Sequence, residues 1–415
     1  MILGLLLAAQ TVSMDALVTE ALAKNEDAET AKLVVERAEA QRREAWADLF
    51  GAVSVSGTYR RRAFQVSFPG EDGEERFINR LNALSAQARA ELTVFDAPAL
   101  ARLSKSGADV GAAEAKNVEL RRTLAFEVAD LYVTVLAGER ARAAAERRLE
   151  LAQETFDNVN ARFEAGLTAK NVLNRAKLEV ATAKLEATRA DNAARQLRLS
   201  LGFVVGRAVD GQLEEPDQAA PTGGEAELLA TATEARPDLE TLRRELEANR
   251  IAAREPWYGL LPTVGVAAEA SLTNETGFQQ RVANWSLSAT AEWLLWDGGA
   301  RYAIARQRAA DTRESELALS KQLRRVKLEL SQARTDLNTA QAAVAQAEAR
   351  LEVARENAEE VRARFTQGLA SALEQADAAV AEYDAAQALA AERFEASAAA
   401  LRLTRAVGDW PTEAR

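Results

Sequence analysis

The sequence predicts a mainly α-helical protein with a small β part and an internal two-fold duplication. Two long stretches without proline can form uninterrupted helices, and four shorter segments alternate between apolar and polar residues. Related residues recur in the same order in the two halves of the chain. One globular core cannot cover helices of this length, so the helices must pack on one another.

Composition excludes several functions at once. The chain of 415 residues contains no Cys and no His, which excludes disulfides, thiol nucleophiles, Cys or His metal sites and histidine acid–base catalysis. Its net charge of −11 argues against a nucleic-acid partner. The sequence has no Gly-rich nucleotide-binding loop ending in Lys-Ser or Lys-Thr. It therefore predicts no enzyme, no catalytic residues, no cofactor and no metal site.

The two long stretches run from 99 to 215 and from 263 to 410, where no proline interrupts a helix. They contain predicted helices over 98–165 and 299–367. At about 1.5 Å per residue, each helix would extend roughly 100 Å. Apolar residues in the second helix step alternately by three and four, at Val344, Ala347, Leu351, Ala354, Ala358, Val361 and Phe365. This spacing is typical of a coiled-coil seam and predicts antiparallel packing with the helix that follows.

The duplication is visible as fixed offsets between the two halves. An offset of 211 residues aligns Trp46 with Trp257, and farther along an offset of 202 aligns Phe163 with Phe365. The first half therefore carries about ten extra residues between its strands. These residues form a polar, charged segment around 68–76, which indicates an exposed hairpin loop.

The offsets also define the predicted boundaries. The first repeat covers 14–202, with strands at about 52–60 and 83–95, a long helix over 98–165, a turn at 166–168 and a helix over 169–201. After a linker over 203–224, the second repeat covers 225–408, with strands at about 263–272 and 285–296, a long helix over 299–367, a turn at 368–370, a helix over 371–407 and a tail at 409–415. The apolar run from Ile2 to Ala9, within 1–13, is either a signal peptide or the apolar start of a helix, since no Lys or Arg precedes it.

The four alternating segments are about ten residues long, the length of a tilted strand across a bilayer. In the fourth, the apolar face carries Trp285, Leu287, Ala289, Ala291, Trp293 and Leu295. Trp285 and Trp293 lie roughly 26 Å apart along a strand, a spacing that places one ring near each bilayer interface. A half-buried sheet of a soluble domain shows the same alternation, and both interpretations stand. Four strands cannot close a barrel, so strands in a membrane would have to come from several chains.

Asp96 and Asp297 occupy equivalent places, each between a strand and the long helix that follows. A carboxylate at this position accepts hydrogen bonds from the first backbone N–H groups of the helix and is favoured by the positive end of its dipole. Neither is accompanied by a second catalytic group, so both are predicted to be helix caps.

Several short motifs occur in order along the chain. They are Arg236-Pro237-Asp238-Leu239, Leu261-Pro262-x-Val264, Trp296-Asp297-Gly298-Gly299 and the paired Phe-x-x-Gly-Leu turns. With the duplication, they resemble the TolC family of outer membrane efflux proteins over roughly residues 14 to 408. The resemblance implies a homotrimer in the bacterial outer membrane with a long periplasmic extension. Each chain would give four strands to one twelve-stranded β-barrel, and the coiled-coil helices would form a periplasmic α-barrel.

The resemblance also assigns a role to the two turns between paired helices. In the family these turns lie at the periplasmic tip, where adaptor proteins dock. Here they are Gly166-Leu167-Thr168 and Gly368-Leu369-Ala370-Ser371. From the residues alone, each is a helix–helix turn with Gly in the left-handed conformation, and both interpretations can hold together. The implied partners are a periplasmic adaptor, an inner-membrane pump reached indirectly, and outer membrane lipid.

Acidic residues just past the second turn are candidates for a pore constriction. Family members often carry them at the narrow end of the tunnel, and Glu374 and Asp377 fall there on one helix face. Three chains would supply six carboxylates that attract cations, whereas two solvated surface acids are the alternative. The charged pair that locks the tip in the best-known members is replaced by uncharged residues. Lys170 and Arg175 are therefore hypothesised to pair with Glu374 or Asp377.

Two functions follow from these predictions. The first is a passive export channel of a tripartite efflux pump or a type I secretion system, in which the pump supplies the energy. The alternative is a coiled-coil scaffold of the cell envelope with a small soluble β-domain and no channel. The strands separate the two, because a scaffold does not need aromatic residues spaced for two membrane interfaces. Nothing in the residues specifies an exported substrate.

Overall fold

The protein is described by a computed structural model that covers residues 11–70, 73–216, 220–276 and 281–412. The apolar run from Ile2 to Ala9 lies outside the described residues. The chain divides into two compact units. Unit 1 contains the residues up to 32, 116–239 and those from 321 onward, and unit 2 contains 33–115 and 240–320.

The two halves of the chain repeat the same order of elements, apart from two extra strands in the first half and one short extra helix in the second. The first half contains β1 (Thr11–Val12), α1 (Met14–Lys24), α2 (Glu26–Ala47), β2 (Ala52–Arg61), β3 (Val66–Pro69), β4 (Glu75–Asn79), β5 (Asn82–Phe95), α3 (Ala97–Glu164) and α4 (Lys170–Val205). The second contains β6 (Gln212–Leu213), α5 (Glu225–Ala235), α6 (Pro237–Ala252), α7 (Glu255–Tyr258), β7 (Thr263–Thr273), β8 (Ala283–Glu292), α8 (Ala300–Thr366) and α9 (Ala372–Val407). The offset of 211 maps α1 onto α5, and the offset of 202 maps α4 onto α9, so the duplication is confirmed.

Four strands of unit 2 form one antiparallel sheet in the order β2-β5-β7-β8. Ala88 of β5 lies opposite both Val55 of β2 and Ala270 of β7, and Ala270 lies opposite Trp285 of β8. Because side chains alternate along a strand, this register places the apolar positions of all four strands on one face. The described residues of the polar segment around 68–76 belong to the hairpin of β3 and β4. Within the described chain, β2 and β8 each keep one unpaired edge.

The fourth strand is shorter than its sequence pattern predicted. It ends at Glu292, opposite Thr263, and not at 296. The reason is Pro262, which precedes Thr263 and has no N–H to continue the ladder. Trp293 therefore lies one residue beyond the strand, and its indole Nε1–H donates to the Leu260 carbonyl oxygen at 2.9 Å.

Unit 1 contains two related apolar cores. In the first, Leu17 of α1 packs with Phe126 of α3 and Leu201 of α4. In the second, Leu228 of α5 packs with Leu330 of α8 and residues of α9. Leu17 and Leu228 are equivalent under the offset of 211, so the two halves bury the same position of the repeat.

The helix α4 extends to Val205, four residues beyond the predicted end at 201. Gly202 does not break it. A Cβ at Gly202 would lie 2.8 Å from the Arg207 carbonyl oxygen, so glycine is required there because the chain returns closely past the helix. The helix ends at Gly206, whose φ of 85° is left-handed.

The predicted linker over 203–224 contains a strand that the sequence pattern did not reveal. Within it, β6 pairs in parallel with β1. The hydroxyl oxygen of Tyr132 lies 2.8 Å from the Val12 carbonyl oxygen and 2.6 Å from that of Glu214, so one buried side chain holds both strands. Burial raises the pKa of Tyr132 to about 12, which keeps the hydroxyl protonated over the physiological range.

Two buried arginines hold the carboxyl end of α9. Arg122 of α3 is 1% exposed and donates to the Arg405 carbonyl oxygen at 3.0 Å. Arg236, between α5 and α6, is 7% exposed and donates to the Ala406 carbonyl oxygen at 3.3 Å. The Arg405 carbonyl oxygen also accepts from the Gly408 N–H at 3.2 Å, so the two arginines add side-chain donors to the carbonyl groups of the last helical turn.

Candidate channel site

The edge strands of the sheet leave their apolar side chains uncovered. All ten residues of β2 and all ten of β8 are exposed in the described structure. Val53 is 80% exposed, Trp285 78% and Leu287 72%. A half-buried soluble sheet would cover one of its faces with other parts of the protein. An uncovered apolar face of this kind marks a surface that contacts lipid or another chain.

The opposite face of the same sheet carries a charged cluster. Arg89 Nε lies 3.2 Å from Glu91 Oε2, and Arg89 Nη1 lies 3.9 Å from Glu269 Oε2. Alternation along β5 places Arg89 and Glu91 on the polar face of the strand. Only the pairing of β5 with β7 shows that Glu269 lies opposite Arg89. The sheet therefore has one apolar and one charged face.

The two turns between paired helices have the same backbone geometry. Gly166 has φ 74° and Gly368 has φ 76°. The Leu167 N–H donates to the Arg162 carbonyl oxygen, and the Leu369 N–H to that of Arg364, each at 2.8 Å. The N–H groups of the two glycines also donate backbone hydrogen bonds, each at 2.9 Å. This pattern is the Schellman motif, in which glycine adopts the left-handed backbone conformation without strain.

The leucines of these turns are exposed. The residue after the glycine of a Schellman motif usually packs back onto the last turn of the helix. Here Leu167 is 78% exposed and Leu369 is 67% exposed. Each turn thus presents an apolar side chain to its surroundings.

Contacts within unit 1 hold the two turns beside each other. Arg162 donates from Nη2 to the Phe365 carbonyl oxygen at 3.1 Å, and its guanidinium lies 4.6 Å from the centroid of the Phe365 ring. Phe365 is buried with Val159 and Leu173. An ion pair of 2.6 Å between Arg362 and Glu154 adds a further link between α8 and α3.

Glu374 is the third residue of α9 and is bound to Ser371. The Ser371 backbone N–H and hydroxyl donate to Glu374 Oε2 at 2.7 Å and 2.8 Å, and the Glu374 N–H donates to the Ser371 hydroxyl oxygen at 3.2 Å. This is a capping box. The hydrogen bonds from the backbone N–H and the hydroxyl of Ser371 lower the pKa of Glu374, so the carboxylate stays charged at neutral pH.

Asp377 and Arg175 line one cavity of about 360 Å³ beside the turns, together with Asn171, Val172, Ser371 and Leu373. Neither Arg175 nor Lys170 lies within 4.0 Å of a carboxylate of Glu374 or Asp377 in the part of the chain that the structure describes. The hypothesised pairs are therefore not formed within this single chain.

The two strand-to-helix corners use their aspartates in similar ways. Asp96 Oδ1 accepts a hydrogen bond from the Ala99 N–H at 3.0 Å. Asp297 Oδ2 accepts from the Arg301 N–H at 3.0 Å and also from the Arg301 guanidinium at 3.1 Å. Arg301 is 6% exposed and donates onward to the Leu294 carbonyl oxygen, so the second corner is more strongly braced than the first.

Two features are absent from the described residues. No helix among them is both long and apolar enough to cross a membrane. No group of three or more acidic side chains in those ranges is arranged to hold a metal ion.

Solved structures of outer membrane proteins share this fold. VceC from Vibrio cholerae is 18% identical and superposes with a TM-score of 0.77 over 96% of this chain and 97% of its own. The CmeC outer membrane channel of Campylobacter jejuni is 16% identical, with a TM-score of 0.79 over 95% and 85%. The open state of the MtrE outer membrane channel of Neisseria gonorrhoeae is 17% identical, with a TM-score of 0.76 over 95% and 89%. No curated protein sequence matches the chain. The likeness defines the class of fold, a TolC-like outer membrane channel fold.

The pattern of residues identifies the family. The family model described as outer membrane efflux protein matches residues 17–207 and 228–409, most of both repeats. The chain therefore belongs to the outer membrane efflux protein family, which confirms the resemblance found in its motifs. It is a protein of the bacterial outer membrane.

Proposed function

We propose that this chain is one of three identical subunits of a passive export channel. The observation that carries the proposal is the sheet with two free edges and an uncovered apolar face. Lipid permits no unpaired strand edge, because buried N–H and C=O groups need partners. Pairing β8 of one copy with β2 of the next satisfies every edge, and three copies give a closed barrel of twelve strands. The charged face with Arg89 and Glu269 then lines the interior.

Oligomeric mass tests this proposal. The protein is extracted from outer membranes in mild detergent, and its mass is measured by light scattering with the detergent contribution subtracted. We expect a stable particle of three chains from the outer membrane fraction. A monomer or dimer that is soluble without detergent would overturn the channel and favour the coiled-coil scaffold.

The proposed partners follow from the family and from the turns. The exposed leucines at Gly166-Leu167-Thr168 and Gly368-Leu369-Ala370-Ser371 suit docking of a periplasmic adaptor that connects the channel to an inner-membrane pump. The inner-membrane pump supplies the energy, and the channel completes a tripartite efflux pump or a type I secretion system. The channel itself performs no catalysis and needs no cofactor.

Polar substitution of both turn leucines tests adaptor docking. We expect L167S/L369S to form normal trimers but to lose adaptor contact, because a buried apolar anchor contributes about 1–2 kcal/mol each. Adaptor affinity should fall at least about tenfold. A photoreactive side chain at Thr168 reports crosslinks to the adaptor in cells. Leu178, a 67% exposed leucine of α4, gives the control L178S. Unchanged crosslinking in L167S/L369S would contradict adaptor docking at the turns.

The acidic pair Glu374 and Asp377 is proposed to form the constriction, where three chains place six carboxylates. We expect divalent cations to block current through the wild-type channel in a planar bilayer. E374Q/D377N should raise the half-blocking concentration at least about tenfold, since the charge is removed. Glutamine keeps the capping box with Ser371, so the helix start is retained.

The pH dependence of this block has a defined sign. The lowered pKa of Glu374 means that its carboxylate loses charge only below the ordinary value of 4.5. Block should therefore persist at about pH 5 and decline at lower pH. E359Q, which removes an exposed acid of α8, is the matched control and should retain block. If E359Q and E374Q/D377N behave alike, the constriction lies elsewhere.

Lys170 and Arg175 are proposed to act as gate partners only between copies. Within one chain they do not reach Glu374 or Asp377, although Arg175 and Asp377 line the same cavity. Charged groups on neighbouring hairpins of a ring can approach when the tip closes. The proposed pairs would then hold a closed tip and separate when it opens.

A further inference from the structure

We propose that the outer end of each seam between subunits binds a phosphate-bearing lipid of the outer leaflet. The site consists of Tyr59 and Arg61 of one chain with Arg281 and Trp285 of the next. The inference rests on the proposed trimer, because the seam exists only when β2 and β8 of two copies pair.

The direction of the strands identifies the end of the sheet that faces outward. The strand β2 rises from the helix α2 and ends at Arg61, where the chain enters the hairpin of β3 and β4. Long helices begin at the other end of the sheet, after β5 and β8. Since the helices of this family lie in the periplasm, Tyr59 and Arg61 lie at the level of the outer leaflet.

Arg61 lies on the apolar face and not on the interior face. Residues of one parity share a face of a strand, so Arg61 follows Val53, Val55 and Tyr59. The contacts agree, since the Tyr59 hydroxyl and Arg61 Nη1 both reach Asn82 Oδ1, at 3.0 Å and 3.4 Å. A guanidinium is thus placed directly beyond the last aromatic ring of a lipid-contacting face.

The charge of Arg61 is not neutralised by the protein. Its one recorded partner is the neutral amide oxygen of Asn82, and no carboxylate lies within 4.0 Å among the described residues. The next residue is different, because Arg62 forms an ion pair with Glu275. Arg61 therefore keeps its hydrogen-bonding capacity for a partner outside the chain.

The second edge of the sheet repeats this arrangement. Trp285 lies near the start of β8 on the apolar face, and Arg281 precedes the strand by two residues. Arg281 is exposed and forms no ion pair within the described ranges. Closure of the ring pairs β8 of one copy with β2 of the next in antiparallel fashion. The loop ends of both strands then meet, and two arginines and two aromatic rings lie at one seam.

The chemistry of this group selects an anionic lipid. Guanidinium groups bind phosphate oxygens in pairs, with charge-assisted hydrogen bonds. Tyr and Trp side chains prefer the boundary between acyl chains and headgroups. The apolar positions directly below, among them Leu84 and Leu287, contact acyl chains. Free phosphate would gain only the charge contacts, so an acylated phosphate is the better ligand.

Lipid counting by native mass spectrometry tests the site. The purified trimer is titrated with diphosphoryl lipid A, with the dephosphorylated lipid as the parallel probe. We expect up to three phosphorylated lipids per trimer, no equivalent retention of the dephosphorylated form, and no displacement by equimolar inorganic phosphate. R61Q and R281Q should each weaken binding about fivefold.

Arg60 provides the matched control, because it is adjacent to Arg61 and lies on the interior face of the same strand. R60Q should bind the lipid as the wild type does. The proposed site would be overturned if R61Q bound the lipid as tightly as the wild type, or if R60Q and R61Q lost the same affinity for the lipid. The same spectra report the number of chains. A trimer without bound lipid removes this inference alone, whereas the absence of trimers removes the proposed channel.

Discussion

L287R is expected to prevent assembly of the protein in the outer membrane. Leu287 lies in the middle of β8, on the face that we assign to lipid, and is 72% exposed. An arginine at the midplane of a membrane barrel costs about 2–4 kcal/mol, and each trimer would carry three. The measurement is the amount of heat-modifiable trimer in the outer membrane fraction, which should fall to a small part of the wild-type amount.

The neighbouring residue supplies the control. Ser288 lies on the opposite face of β8, which is assigned to the channel interior, so S288R should assemble nearly as well as the wild type. If this uncovered sheet belonged to a soluble protein, both faces of β8 would be in water and both variants would fold equally. Normal assembly of L287R would therefore remove the lipid assignment of this face.

R236M is expected to be the most damaging single substitution in unit 1. Arg236 binds both carboxylate oxygens of Asp238, at 3.0 Å and 2.8 Å, and Glu329 at 2.8 Å. Methionine preserves much of the side-chain volume but leaves these acids without their cation. Breaking a buried ion pair by removal of one partner costs about 3–5 kcal/mol. The midpoint of thermal unfolding, followed by circular dichroism in detergent, should fall by many degrees.

The substitution should also change how the stability of the fold depends on pH. Burial alone would raise the pKa of Asp238, but the hydrogen bonds and charge of Arg236 overcome this and hold that pKa below its ordinary value of 3.8. In the wild type, the carboxylate stabilises the fold above that value and loses its contribution as the pH falls through the lowered pKa. In R236M the arginine no longer lowers the pKa of Asp238, so burial raises that pKa. The variant should therefore be least stable at neutral pH, where Asp238 is charged, and should recover stability partly towards about pH 5 as this carboxylate is protonated.

Two further variants distinguish the effect of the buried ion pair on stability from that of an exposed ion pair. R236M/D238N removes both charges and should recover part of the lost stability, because no unpaired carboxylate remains at 238. R244M removes an exposed arginine that pairs with Glu240 and Glu247, and its unfolding midpoint should stay close to that of the wild type. Equal decreases of the unfolding midpoint in R244M and R236M would show that the burial of Arg236 does not contribute to stability.

Much of the fold could be predicted because periodicity and breakers are local signals. The long helices are visible as stretches without proline, and the strands as alternation of apolar and polar residues. The predicted end of β8 was wrong by four residues, because the end depends on Pro262, which directly precedes the partner strand β7. Gly202 looked like a helix end, but it is explained by the close return of the chain at Arg207. Pro262 is distant in sequence from the end of β8, and the close return at Arg207 exists only because the chain turns back after the helix.

The candidate site divides in the same way. The sequence located the paired Gly-Leu turns and the acidic residues after the second, because glycine marks a left-handed turn and the motifs recur at a fixed offset. Their roles as adaptor contact and constriction remain predictions. The meaning of Arg236 was not visible, although its motif was, because its partners Glu329 and Ala406 come from distant parts of the chain.

The order of residues alone determined the duplication, the long helices, the alternating strands and the absence of histidine and cysteine chemistry. These properties depend on local periodicity and composition, which need no knowledge of neighbours in space. Tertiary structure decided the strand order and register, the two uncovered edges, the cluster at Arg89 and the buried arginine clamps on α9. Each of those joins residues that are far apart in sequence, and such pairs become neighbours only when the sheet and the helices pack.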